Sequence, residues 1–189
     1  NFSTTVTNSI ATKAPIASPS FTGNVGIGAG SFPSNGTNLK VSDSTIARLV
    51  LEDSNASTFE IGSTGGVLNI YDATADAERL RIDSSGSVGI GVTPESAWHS
   101  SLTALQLGGN ASISAQTTQG SSKQAYFSQN LYNDGDQKYI STDEASEYRQ
   151  QNGTHTFRVA PSGSADSAIN WTTAMIIDNA GIVRKTYQP

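Results

Sequence analysis

Few residues in this chain have the types for chemistry, and their spacing does not serve it. His99 and His155 are the whole imidazole supply, and cysteine is absent. Metal capture on a strand needs an alternating histidine pair, and His155-Thr156-Phe157 lacks the second member. Both histidines are therefore expected to be exposed or rim residues. Asp143, Glu144 and Glu147 form the densest carboxylate cluster. Paired carboxylates hydrolyse glycosidic bonds only at a set separation across a cleft, and nothing in this spacing supplies one. A solvated turn or strand edge is expected there. Asn133-Asp134-Gly135-Asp136 has the oxygens of a calcium turn, without the full alternating-Asp loop and its distant Glu. Turn formation accounts for the same composition. Gly23-x-x-Gly26-x-Gly28 matches neither nucleotide-loop spacing. The sequence thus assigns no catalytic residue, no metal ligand and no cofactor, and the chain is not expected to be an enzyme.

Composition says what such residues sit on. Hydrophobic residues are 35% and charged residues 14% of the chain, both below ordinary globular usage. Ser, Thr, Asn and Gly together make 78 of the 189 residues. One copy has too little apolar side chain to offset the entropy of ordering it. Disorder is the other escape, but the net charge is only −5, and Val, Ile and Thr, which suit pleated surfaces, are abundant. Obligate assembly follows. An acidic balance without a basic stripe excludes nucleic acid as a partner. No apolar run reaches the ~18 residues of a helical span, so no membrane insertion is expected.

Repeats organise the chain. Gly23-Asn24-Val25-Gly26-Ile27-Gly28 returns as Gly86-Ser87-Val88-Gly89-Ile90-Gly91, 63 residues on. Leu80 to Val88 returns as Met175 to Val183, 95 residues on. Each copy reads as strand, Asp-x-x-Gly turn, strand, with the Asp bonding its own backbone and the Gly taking a positive φ. The unequal separations indicate a punctuating motif between variable modules. Between the punctuations apolar residues alternate: Thr45, Ala47, Leu49 and Leu51 share a face, with further strands around Phe59 to Ile61, Val67 to Tyr71 and Leu80 to Ile82. No stretch carries a helical stripe beyond a short turn after Pro94. Residues 111–168 form an insert with strands at 125–132, 137–142 and 154–160, the last preceded by a hairpin signal at Asn152-Gly153. In 1–22, Pro15 and Pro19 break helix and ladder alike.

Ala11-Thr12-Lys13-Ala14-Pro15-Ile16-Ala17-Ser18-Pro19-Ser20-Phe21-Thr22-Gly23 resembles a linker frequent in bacteriophage tail fibres. Arg81-Ile82-Asp83-Ser84-Ser85-Gly86-Ser87-Val88-Gly89-Ile90-Gly91 resembles a shaft element of the same proteins, and Arg184 to Pro189 is similar to the lead-in of complement-type heads on some of them. The resemblance covers roughly 35 residues and says little of 111–168. It implies a homotrimeric virion component, in the extracellular tail, whose partners are its own copies, other tail proteins and a host-surface polysaccharide or protein.

The expected fold is all-β: an elongated homotrimeric fibre of consecutive small meander or sandwich-like modules, with chains free to intertwine. Its parts are a connector or docking segment at 1–22, a first shaft module at 23–92, and a wider module at 93–189. Val25, Gly26, Ile27, Gly28, Val88, Gly89, Ile90 and Gly91 are assigned to trimer-packing strands, the glycines admitting a neighbouring backbone. The expected function is structural and adhesive, linking phage tail to host surface. The alternatives are a tailspike-type glycan depolymerase and a non-viral trimeric adhesin. The aromatics of the insert are read chiefly as its core, and Tyr132, Tyr139 and Tyr148, beside polar residues, as the candidates for receptor contact.

Overall fold

The structure, a computed structural model, describes residues 41, 44–53, 56–121 and 123–185, and the backbone at 25–27 and 39–40. The expected connector at 1–22, and Gly28, lie outside these residues. The chain is all-β, with no helix among the described residues. It divides into two units, residues 1–49 and 50–189. In the first, β1 (Val25–Ile27) pairs in parallel with β2 (Leu39–Val41), Val25 opposite Leu39 and Ile27 opposite Val41.

The second unit is built on one long sheet. The division falls inside β3 (Ile46–Glu52), its edge strand. β4 (Thr58–Thr64), β5 (Val67–Asp72), β6 (Ala77–Ile82) and β7 (Val88–Ile90) follow as an antiparallel meander. β8 (Leu102–Leu107) then runs parallel to β7, with Val88 opposite Leu105. β9 (Ala111–Gln116) and β10 (Gln124–Gln129) return to antiparallel pairing. β11 (Tyr132–Asn133) and β12 (Gln137–Lys138) make a separate two-stranded hairpin. β13 (Asp143–Gln151), β14 (Thr154–Gly163), β15 (Thr172–Ile177) and β16 (Val183–Lys185) complete the order β16-β15-β14-β13-β10-β9-β8-β7-β6-β5-β4-β3. The β7–β8 pairing carries the sheet across the expected module boundary at 92/93 without a break.

The turns follow from local chemistry. Asp83 Oδ1 accepts hydrogen bonds from the N–H groups of Ser85 and Ser87, both at 2.9 Å. Asp178 Oδ1 does the same with Ala180 and Ile182, at 3.0 and 2.9 Å. Gly86 and Gly181 take φ of 84° and 81°, where a side chain would be strained. The sequence echo is thus one hairpin used twice, with Ile82 opposite Val88 and Ile177 opposite Val183. Asn152-Gly153 closes β13 on β14 as its two-residue type predicts, Gln151 pairing Thr154. The stretch after Pro94 holds a turn at 96–97 and then β8, with no helix.

Gly89 does admit a close backbone, but from its own chain, which corrects the expectation for this position. A Cβ on Gly89 would lie 2.1 Å from the Val92 carbonyl oxygen and 2.8 Å from Pro94 Cδ. The chain folds back over that face immediately after Ile90. Gly91 lies beyond β7 and nothing stands within 4 Å of the place its Cβ would take. Its φ of 66° serves the bend.

Three excursions fold over this face of the sheet: 91–101, 130–142 and 164–171. Pro94 is buried, and the Glu95 N–H donates to Gln106 Oε1 at 3.0 Å. Ser112 Oγ donates to the Leu131 carbonyl, and the Tyr139 hydroxyl to the Pro161 carbonyl at 2.7 Å. Between excursions and sheet sits a small core of Leu131, Tyr139, Ala145, Ala160 and Ile169, against which Trp98 and Trp171 pack.

Candidate functional site

Two adjacent rows on the sheet's two faces carry opposite chemistry: beside the small core, a polar row lies on the covered face, and an apolar row lies on the open one. Strand pairing fixes which residues lie side by side. On the covered face, one row reads Asn69, Arg81, Gly89, Gln106, Ser112, Ser128, Glu147, Arg158 and Thr173 from β5 to β15. Gln106, Ser112, Ser128 and Glu147 in it are buried. Burying such groups costs free energy unless each is paired, and Glu147 meets that demand fully. Arg158 Nε donates to Glu147 Oε1 at 2.8 Å, and Gln137 Nε2 to Glu147 Oε2 at 2.6 Å. Trp171 Nε1 and Arg158 both donate to Gln137 Oε1 at 2.7 Å. The Arg158 guanidinium lies 4.8 Å over the Trp171 ring, a favourable cation–π geometry. This network ties two excursions to the sheet.

One residue along each strand, or two on β15 where the register shifts between Phe157 and Arg158, the row on the other face reads Leu68, Ile82, Val88, Leu105, Ile113, Phe127, Tyr148, Phe157 and Met175. Nine consecutive neighbours across the sheet are apolar or aromatic, in register. A second row reads Ile61, Ile70, Leu80, Ile90, Leu107, Ala111, Gln129, Ser146 and Val159. Neither row contains an Asp, Glu, Lys or Arg. This face is open: Phe127 is 55% exposed, Val159 47%, Leu68 46% and Ile113 45%. Tyr148 stacks on Phe157 with ring centroids 4.9 Å apart. Beside them lies a shallow depression of about 250 Å³. At ~4.8 Å between strands, nine strands make an apolar stripe roughly 40 Å long.

The residues singled out in the sequence fall on both sides of this division. Val88 and Ile90 lie on the open face, in the first and second rows. Tyr132 and Tyr139 are buried, each 4% exposed, and both hydroxyls are spent inside, Tyr132 on Asp166 Oδ1 at 2.9 Å. Burial and that contact push the Tyr132 phenol up to about 12. Tyr148 stands apart from them in the open apolar row, stacked also against His155 and hydrogen-bonded to it. The three do not form one surface. His99 accepts at Nδ1 from the Ser101 N–H and bonds its Oγ at 2.8 Å. Asp143 and Glu144 begin β13 exposed, whereas Glu147 is buried on the Arg158 side, so the carboxylate cluster is split and Glu147 is not a solvated edge. In the acidic turn, Asn133 Oδ1 and Asp134 Oδ1 accept backbone N–H bonds, and Lys138 Nζ holds Asp134 Oδ2 at 2.6 Å. That lysine draws the Asp134 carboxyl below the usual range. Among the described residues, no group of three His, Asp or Glu is placed to hold a metal.

Two features escaped the sequence. Asn130, fully buried with φ 58°, donates to the Ser141 and Glu144 carbonyls and accepts from the Ser141 N–H at 2.8 Å. It pins the departure of the 130–142 excursion to its return. Asn at a strand end is the available signal, since it tolerates the left-handed region. β13 was the other: its Ala145, Glu147 and Arg149 face the covered side, so no apolar alternation announces it. No known family model matches this chain, and no curated protein matches it.

Proposed function

We propose that this chain is a structural and adhesive segment of a homotrimeric extracellular fibre, of the kind that joins a bacteriophage tail to the host surface. One observation carries the reading: the polar row of the sheet is sealed under its own excursions while the in-register apolar row is left open. Soluble monomers rarely expose contiguous apolar area beyond a few hundred Å². A sheet of this pattern is half of a packed structure, and more copies of the chain supply the rest. Abundant Ser, Thr and Asn, the resemblance of 11–23 and 81–91 to fibre elements, and the re-used Asp-x-x-Gly hairpin agree with a modular shaft. Glu147, held by Arg158 and Gln137, is not poised for acid–base work, and the reading includes no catalysis. Host contact falls to the excursion side of the 111–168 region.

Light scattering on the purified chain tests the assembly. The expected mass is three times that of the 19.7 kDa chain, in a species that survives SDS at room temperature. A well-folded species of one chain mass overturns it. For adhesion, the purified assembly should bind host cells and compete with fibre-bearing particles; saturating protein without either effect removes the adhesive half.

A further inference from the structure

We infer that the open face centred on Phe127, Tyr148 and Phe157 seats a second copy of this chain, whose own apolar row fills the depression beside those rings. The inference rests on the fibre reading and adds where along the apolar row the second copy is anchored. Three observations choose the occupant.

The first is size. The stripe is roughly 40 Å long, and same-face residues repeat every ~6.8 Å along a strand. The two rows therefore span about 14 Å, giving a face of roughly 550 Å². That is close to the roughly 600 Å² that one partner contributes at the lower end of stable interfaces.

The second is charge. The two rows hold no ionised side chain from β4 to β14, in a molecule of net charge −5. A membrane-docking face is expected to carry Lys or Arg for anionic headgroups, and a steered partner of opposite charge needs a field. A neutral apolar face has its best match in another of the same kind, since no charge on either side is stranded.

The third is shape. The depression is lined by Phe127, Gln129, Ser146, Tyr148, Phe157 and Val159, and by Glu147 and Arg158, whose side chains pair on the covered face. Aliphatic side chains of the same face, Ile113 and Leu68, stand exposed where a second copy can bring them to it. Face-to-face sheets interdigitate in this way at about 10 Å. Aromatic anchors beside a pocket, here on the sixth to eighth of the nine strands, are where interface energy concentrates.

The test uses the full chain and three variants: Phe127→Glu, Phe127→Thr, and Ser164→Glu as a control on an exposed turn away from this face. Self-association is measured by sedimentation and fold by far-UV circular dichroism. Phe127→Glu should weaken association at least about 30-fold, the size of a hot-spot substitution, with the β spectrum kept. Phe127→Thr, which retains strand propensity without a charge, should weaken it about tenfold and decides the matter should the Glu variant misfold. Ser164→Glu should associate as the parent does. The chain lacks cysteine, so Ile113→Cys carrying a polarity-sensitive fluorophore should show a concentration-dependent blue shift.

If the parent assembles and neither Phe127 variant weakens it, the surface assignment fails while the fibre reading stands. A monomeric parent overturns both. A monomeric parent whose Ile113 probe shifts only on adding neutral phosphatidylcholine vesicles shows a lipid occupant and also overturns the inference.

Discussion

Glu147 and Arg158 sit directly opposite each other on β13 and β14, with the Glu147 side chain wholly covered and that of Arg158 13% exposed. Gln137 bonds both, so the pair is a bracket between sheet and excursions. Removing one partner strands a buried charge, which costs about 3–5 kcal/mol, whereas replacing both by apolar residues of similar volume is far cheaper. Glu147→Gln should therefore destabilise strongly, and Glu147→Leu with Arg158→Met less than either single change. Urea denaturation at fixed protein concentration measures this. Equal or larger loss in the double variant would show that the ion pair itself, and not the stranding of its remnant, supplies the stability.

Tyr132 sets an alkaline limit. Its folded pKa of about 12 lies above the unfolded value near 10. Between these values the folded state holds a proton the unfolded state has released, so stability falls as pH rises through that window. The loss approaches about 2.7 kcal/mol only above pH 12, the full linkage of two pKa units. Tm measured from pH 9 to 11.5 should drop, and Tyr132→Phe should flatten the drop while losing the Asp166 bond. An unchanged slope in that variant assigns the alkaline loss elsewhere.

Gly89 is the constrained glycine of the Val88–Gly91 copy of the repeated element, Gly91 having nothing within 4 Å of its Cβ position. Gly89→Ala would press a methyl onto the Val92 carbonyl oxygen, which is backbone and cannot swing away. A loss of about 1–3 kcal/mol is expected, in the range of overpacking. Protease sensitivity should rise at 91–101, where the chain must back off. Gly108→Ala, where nothing stands within 4 Å, carries only the strain of its positive φ and should leave 91–101 protected.

Asp83 and Asp178 do the same work in two hairpins. Asp83→Ala and Asp178→Ala each remove the one carboxylate oxygen that accepts two turn N–H bonds. Each should cost about 1 kcal/mol, and the losses should add, because β6–β7 and β15–β16 share no partner. Asn at either site, which keeps the acceptor, should restore most of it. Strong non-additivity by denaturation would show that the two hairpins are coupled through the assembly.

What the sequence determined by itself was local. The Leu80–Val88 and Met175–Val183 echo, the Asn152-Gly153 loop and the absence of helix among the described residues were legible, because turn geometry depends on a few adjacent residues and strand period on side-chain alternation. β13 was not, because Glu147 and Arg149 occupy the positions where alternation leads one to expect apolar residues. Alternation also separates Tyr126 from Phe127 without saying which of the two is covered. The tertiary structure decided that, by laying 91–101, 130–142 and 164–171 over the polar row and none of the three over the apolar one. Those placements depend on contacts between distant residues, such as Asn130 with Ser141 and Gln137 with Glu147, which no local pattern encodes. Tyr132 and Tyr139 went inside for the same reason, and Phe127 was left in the open.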